Sequence, residues 1–133
     1  MTFRILIIDD SDALLARMQR VLSAEGYDVT ITTQVIGNAR HIPTSDLVII
    51  DYHMPGIDGA TVVSSLKSAA GASHRCLFYL YTSDKEVSAD YGHLGFDGVI
   101  TAKGDDEALR SQVSAIARIS QMRSLARRPP PPK

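Results

Sequence analysis

Short apolar runs alternate along the chain with segments of helical period, and most of the runs end in a charged or hydroxylic residue. Ile5–Ile8 is a continuous apolar run rich in β-branched residues, the pattern of a strand buried on both faces. Leu14, Leu15, Met18, Val21 and Leu22 then fall at helical spacing, with Ser11 or Asp12 as N-cap and Gly26 as the stop. Tyr27, Val29 and Ile31 alternate with polar residues, which predicts a strand near a sheet edge. "QVIGNARHI" is a weakly written helix, with Gly37 inside it and Pro43 just beyond. "LVIID", residues 47–51, is a second fully buried strand. After the turn "HMPGIDG", Val62, Val63 and Leu66 predict a short helix opened by Asp58 and Gly59. "CLFYLYTS" predicts a strand and "DKEVSADYGHL" a helix weakened by Gly92. "GVITAK" is the last strand and "DDEALRSQVSAIARI" the last helix, whose acidic first turn suits its dipole.

Five strands and five helices in strict alternation imply right-handed crossovers and a parallel sheet covered on both faces, an α/β doubly wound fold. Ligand sites in such sheets lie at the C-terminal strand ends. The first strand ends in Asp9 and Asp10, the third in Asp51, the fourth in Thr82 and Ser83, and the fifth in Lys103. The second ends in Thr32 and Thr33, without charge. Two carboxylates about 5 Å apart repel by about 3 kcal/mol at an effective dielectric near 20. Three would raise one another's proton affinity unless a cation sits among them. A hard divalent ion fits such a cluster, and Mg2+ is the usual one where phosphate is handled. No Cys or His pair stands at zinc spacing.

"IIDDSDALLAR", "LVIIDYHMPGIDG", "LYTS" and "TAKG", in this order and spacing, resemble the receiver domain of two-component response regulators across residues 3–120. The resemblance implies a flavodoxin-like (βα)5 fold with a five-stranded sheet of order 2-1-3-4-5. It also implies a regulatory phosphoacceptor rather than an enzyme acting on external substrates, one that assists its own phosphorylation and dephosphorylation. Asp51 would take a phosphoryl group from a sensor histidine kinase or His-phosphotransfer protein. Asp10 would bind Mg2+ directly, Asp9 through water, Asp51 as a further ligand, and the backbone carbonyl of His53 would complete the protein ligands. Thr82 and Lys103 would each hold a phosphoryl oxygen, helped by the N–H of Ser83. Two positions depart from the family pattern. Gly104 stands where proline is usual, with a trans peptide expected before it. Ile100 stands where an aromatic often swings inward. A receiver-like interaction module that works without phosphorylation is therefore the alternative reading. The segment Ser83–Leu94 is expected to carry the response in place of a side-chain flip at Ile100.

Length and charge refine this picture. The 133 residues suit one receiver domain, residues 1–120, followed by a basic, proline-rich tail or linker, residues 121–133. Residues 118–133 hold five of the fourteen Lys/Arg and no acid, which leaves nine bases against fifteen acids before them, a net of −6. Output would pass to a downstream protein or a fused output domain, with homodimerisation open. No nucleic-acid-reading element and no membrane-spanning run is visible, and a cytoplasmic, bacterial setting is expected. The single Cys76 reads as a small buried residue, and His41, His74 and His93 are assigned no role.

Overall fold

The computed structural model describes residues 2–34, 37–71, 76–101 and 104–126. Its strands, in chain order, are β1 (Arg4–Ile8), β2 (Asp28–Thr32), β3 (Leu47–Asp51), β4 (His53–Met54), β5 (Ile57–Asp58), β6 (Leu77–Tyr81) and β7 (Gly98–Ile100). Five of them form one parallel sheet of order β2-β1-β3-β6-β7. The expected order 2-1-3-4-5 is therefore the observed one. The short strands β4 and β5 pair as an antiparallel ribbon between β3 and β6 in the chain. The helices are α1 (Asp12–Ser23), α2 (Gly59–Ala70), α3 (Lys85–Ala89) and α4 (Asp106–Ala126).

Alternation along the central strands divides the core in two. Ile5, Ile7, Leu47, Ile49, Tyr81 and Ile100 face α1 and α4, where they meet Leu15, Met18, Leu22, Leu109 and Val113. Leu6, Ile8, Val48, Ile50, Phe78 and Leu80 face the other way, onto Val62, Val63 and Leu66 of α2. All five residues of β3 are buried, while edge strand β2 has none. Burial on both faces fixes the register, because a one-residue slip would exchange the two cores. That register sets Asp51 beside Tyr81 and Tyr81 beside Ile100, so neighbouring strands end level.

Three elements differ from their sequence pattern. The helix expected at "QVIGNARHI" is a 3-10 helix, Ala39–Thr44, with Pro43 inside it. Gly37 sits at φ +86 and Pro43 has no N–H to donate, so an α-helical ladder cannot run through. The helix expected over "DKEVSADYGHL" is only Lys85–Ala89, followed by turns to Gly95 at φ +98. The last helix, expected over residues 105–119, runs on to Ala126. Ser120–Ala126 contains no Gly or Pro and continues the ladder. The rest of the tail, residues 127–133, lies outside the described residues. Among the described residues, no helix is long and apolar enough to cross a membrane.

Candidate functional site

The turn after β1 is built by its own side chains. The Ser11 N–H donates to Asp9 Oδ1 at 2.9 Å, and Ser11 Oγ then accepts from the Leu14 N–H at 3.2 Å to cap α1. Of the two expected caps, the structure uses Ser11. Asp9 is thereby held inward, 2% exposed, while Asp10 stays at the surface.

Asp51 closes β3 at 3% exposure. Beyond it the chain makes a tight ribbon around Pro55 and Gly56, the latter at φ +79, as a type II turn requires. The ribbon returns to Gly59, whose N–H donates to the Tyr52 carbonyl at 2.9 Å. A Cβ on Gly59 would lie 2.8 Å from the Asp51 carbonyl oxygen, so only glycine allows α2 to start so close to the end of β3. Asp58 caps α2, accepting from the Thr61 N–H at 2.8 Å.

Carboxylate oxygens of Asp9, Asp10 and Asp51 lie within 4.8 Å of one another. The set offers only hard oxygen donors, two of them in buried positions. That chemistry fits a small divalent cation such as Mg2+ and does not fit a soft metal.

Thr82 comes directly after Tyr81, the register partner of Asp51, and is 3% exposed. Its hydroxyl accepts from the Asp84 N–H at 3.1 Å. Ser83 is exposed. Ile100 is fully buried in the core beside Tyr81. Lys103, and with it the peptide bond to Gly104, lies outside the described residues.

A contact not read from the sequence closes this end of the sheet. His53 Nε2 lies 3.1 Å from Asp84 Oδ2, and the imidazole packs edge-on against Tyr52 with ring centres 4.9 Å apart. Both residues stand two positions after a site residue, His53 after Asp51 and Asp84 after Thr82. Level strand ends bring equal offsets together, and that spacing was the available signal. Asp84 also caps α3, accepting from the N–H groups of Glu86 and Val87. The Val87 N–H, followed by His53, holds its carboxyl below the ordinary 3.8. The carboxyl thus keeps its charge to lower pH in the folded chain than in the unfolded one. Its support of α3 is complete above the ordinary carboxylate range and is lost as pH falls through the folded value. Amide exchange at Glu86 and Val87, corrected for intrinsic rates, is expected to accelerate over that fall, and Asp84→Ala should remove the pH dependence.

Cys76 is buried, and burial pushes its thiol up to about 12, far from a reactive thiolate at neutral pH. His41 and His93 lie away from the carboxylate cluster, with His93 on Asp90 at 2.8 Å.

Comparison with known proteins agrees with this arrangement. Residues 5–114 match the response regulator receiver domain family. The response regulator PleD of Caulobacter vibrioides is 30% identical over 123 residues, which cover 89% of this chain and 27% of PleD. The chain spans about a quarter to a half of the length of the curated relatives PleD and PhoP. Among solved structures, a signal receiver domain from Vibrio parahaemolyticus superposes with a TM-score of 0.81 at 15% identity, over 97% of this chain and 100% of that one. TrrA of Thermotoga maritima, solved in complex with Mg2+-BeF, superposes at 0.71 with 22% identity, over 86% of this chain and 99% of that one. With the family match over most of its length, the expected sheet order and the acidic cluster at the strand ends, the chain belongs to the receiver domain family of two-component response regulators.

Proposed function

We propose that Asp51 is the phosphoacceptor of this receiver, taking a phosphoryl group from the phosphohistidine of a partner kinase or phosphotransfer protein. The observation that carries the reading is the convergence of Asp9, Asp10 and Asp51 at the level ends of β1 and β3. Asp10, Asp51, the His53 carbonyl and, through water, Asp9 would hold Mg2+, which supplies charge neutralisation for the incoming phosphate oxygens. The Mg2+-BeF complex of TrrA supports this choice of ion. Transfer breaks the donor's P–N bond and forms a P–O bond to an Asp51 carboxylate oxygen. The chain's part is mostly to position and to stabilise charge. The buried β3 backbone aims the nucleophile, and Thr82 and Lys103 take the remaining phosphoryl oxygens. A small phosphodonor with Mg2+ should add one phosphoryl mass to the chain, and a chelator should prevent the gain. A gain that survives chelation would overturn the assignment.

The response should run through the segment after Thr82. A turn of Thr82 toward a phosphoryl oxygen would disturb the bond its hydroxyl accepts from the Asp84 N–H, beside the residue whose carboxylate caps α3. That helix has five residues and buries none of them, so a modest difference in contact energy shifts its population. Amide exchange across Ser83–Leu94 should change when a beryllofluoride mimic binds in the presence of Mg2+. Exchange that stays unchanged with the mimic bound would favour the phosphate-independent module, the reading that the buried Ile100 supports.

A further inference from the structure

We propose that Lys67 of α2 is a stop that ends the response to phosphorylation at Gly95, so that β7 keeps its place while Ser83–Leu94 reorders. The inference rests on the reading of Asp51 as phosphoacceptor and of Ser83–Leu94 as the responding segment. Burial changes abruptly where the stop sits. None of residues 83–94 is buried, whereas Phe96 is 4% exposed and packs into the α2 side of the core. The first stretch therefore opens at little cost and the next does not. Gly95 joins the two at φ +98, a backbone that glycine adopts without strain.

Lys67 takes hold of that joint. Its Nζ donates to the Gly95 carbonyl and lies 5.5 Å from the centre of the buried Phe78 ring, so two attractions fix the ammonium. Phe78 is tied to the residues just beyond the joint. Its N–H donates to Asp97 Oδ2 and its carbonyl accepts from the Asp97 N–H, each at 2.8 Å. A Cβ on Gly95 would lie 3.4 Å from Val63 Cγ1, so the joint also sits directly against α2. That helix starts against the end of β3, where the Gly59 N–H donates to the Tyr52 carbonyl at 2.9 Å. The far end of the responding segment is thus tied to the helix that begins beside the Asp51 backbone. On the other side of β7, Arg17 of α1 donates through Nη2 to the Gly104 carbonyl at 3.3 Å and through Nε to Asp106 Oδ1 at 2.7 Å. A glycine at positive φ, its carbonyl held by a cation from a helix, stands before β7 and again after it, Gly104 being at φ +89. The fully buried Ile100 lies between these two holds.

The test uses the full chain and compares amide exchange with and without beryllofluoride at saturating Mg2+, with binding of the mimic read from its fluorine NMR signal. In the wild type the change should cover Ser83–Leu94 and stop at Gly95. Lys67 is half-buried on α2, and Lys67→Met keeps an apolar stem on Phe78 without a donor, so the variant should fold. Without the mimic, its exchange at Gly95 and Phe96 should rise about tenfold over the wild type. With the mimic, a change of about fivefold or more should now reach Phe96–Ile100. Arg17→Ala is the control. It frees the other side of β7, and there the change on binding the mimic should still end at Gly95. A boundary that holds in Lys67→Met, or one that is lost equally in Arg17→Ala, would overturn the stop. So would a wild type whose response already runs into β7. A wild type that binds the mimic with Ser83–Leu94 unchanged would overturn the response reading and the stop with it, and one that binds no mimic would overturn the phosphoacceptor reading as well.

Discussion

Replacing Asp51 by Asn is expected to abolish the phosphoryl mass gain. The asparagine would keep the size and burial of the side chain but offer an amide, which is a poor nucleophile toward phosphorus and carries no charge for a cation. The fold should tolerate the change, since it removes one of three mutually repelling carboxylates within 4.8 Å. Intact mass before and after incubation with acetyl phosphate and Mg2+ gives the first result, and thermal unfolding in chelator the second. Labelling that persists in Asp51→Asn would move the acceptor elsewhere. Asp10→Asn separates the two roles of the cluster. It should weaken Mg2+ binding by at least about tenfold, worth about 1.4 kcal/mol, while leaving Asp51 chemically intact.

Gly59→Ala should be the most damaging small substitution near the site. The new methyl would fall 2.8 Å from the Asp51 carbonyl oxygen and 3.0 Å from the Tyr52 Cα, both of them backbone atoms that cannot rotate away. Either α2 withdraws from the sheet or the end of β3 shifts. We expect a loss of about 2 kcal/mol, as for overpacking elsewhere in well-packed interiors. For a domain of this size that lowers Tm by roughly 8 °C. Mg2+ affinity should fall with it, because Asp51 shifts relative to Asp9 and Asp10. Gly92→Ala is the control. Its Cβ would meet nothing within 4 Å, and stability should stay within about 0.5 kcal/mol. Equal stability of Gly59→Ala and wild type would mean that α2 does not depend on this close approach.

Much of this site was legible in the sequence because its residues end apolar runs. Asp9, Asp10, Asp51 and Thr82 are found by reading the residues at the end of each buried strand, and strands buried on both faces are the easiest elements to recognise. The sheet order came from the family resemblance. The relations that stayed hidden join distant segments. The His53–Asp84 contact needs the register of β3 against β6, which no local pattern states. Arg17 reads as one more polar residue on the outer face of a helix, and its partner Asp106 is 89 residues away. The segments that misled were those with weak local preference. "QVIGNARHI" has Gly37 and Pro43 competing with its helical spacing, and a 3-10 turn is the compromise. Helix α4 overran its expected end because nothing in Ser120–Ala126 stops it, and the charge change near residue 118 marks composition rather than conformation.

The backbone at Gly104 has a consequence for anyone who would stabilise this domain by borrowing from its relatives. Consensus substitution moves each position toward the residue most common in a family, on the assumption that the scaffold already accepts it. At Gly104 the assumption fails. Proline holds φ near −65°, and the loop here stands at +89. Installing the family residue would force the peptide through more than a third of a full rotation and strip the loop of its contact with Arg17. The relatives' solution and this one are separate local optima. A path between them has to rebuild the loop and Arg17 together, because each single step along it loses one set of restraints before the other has formed.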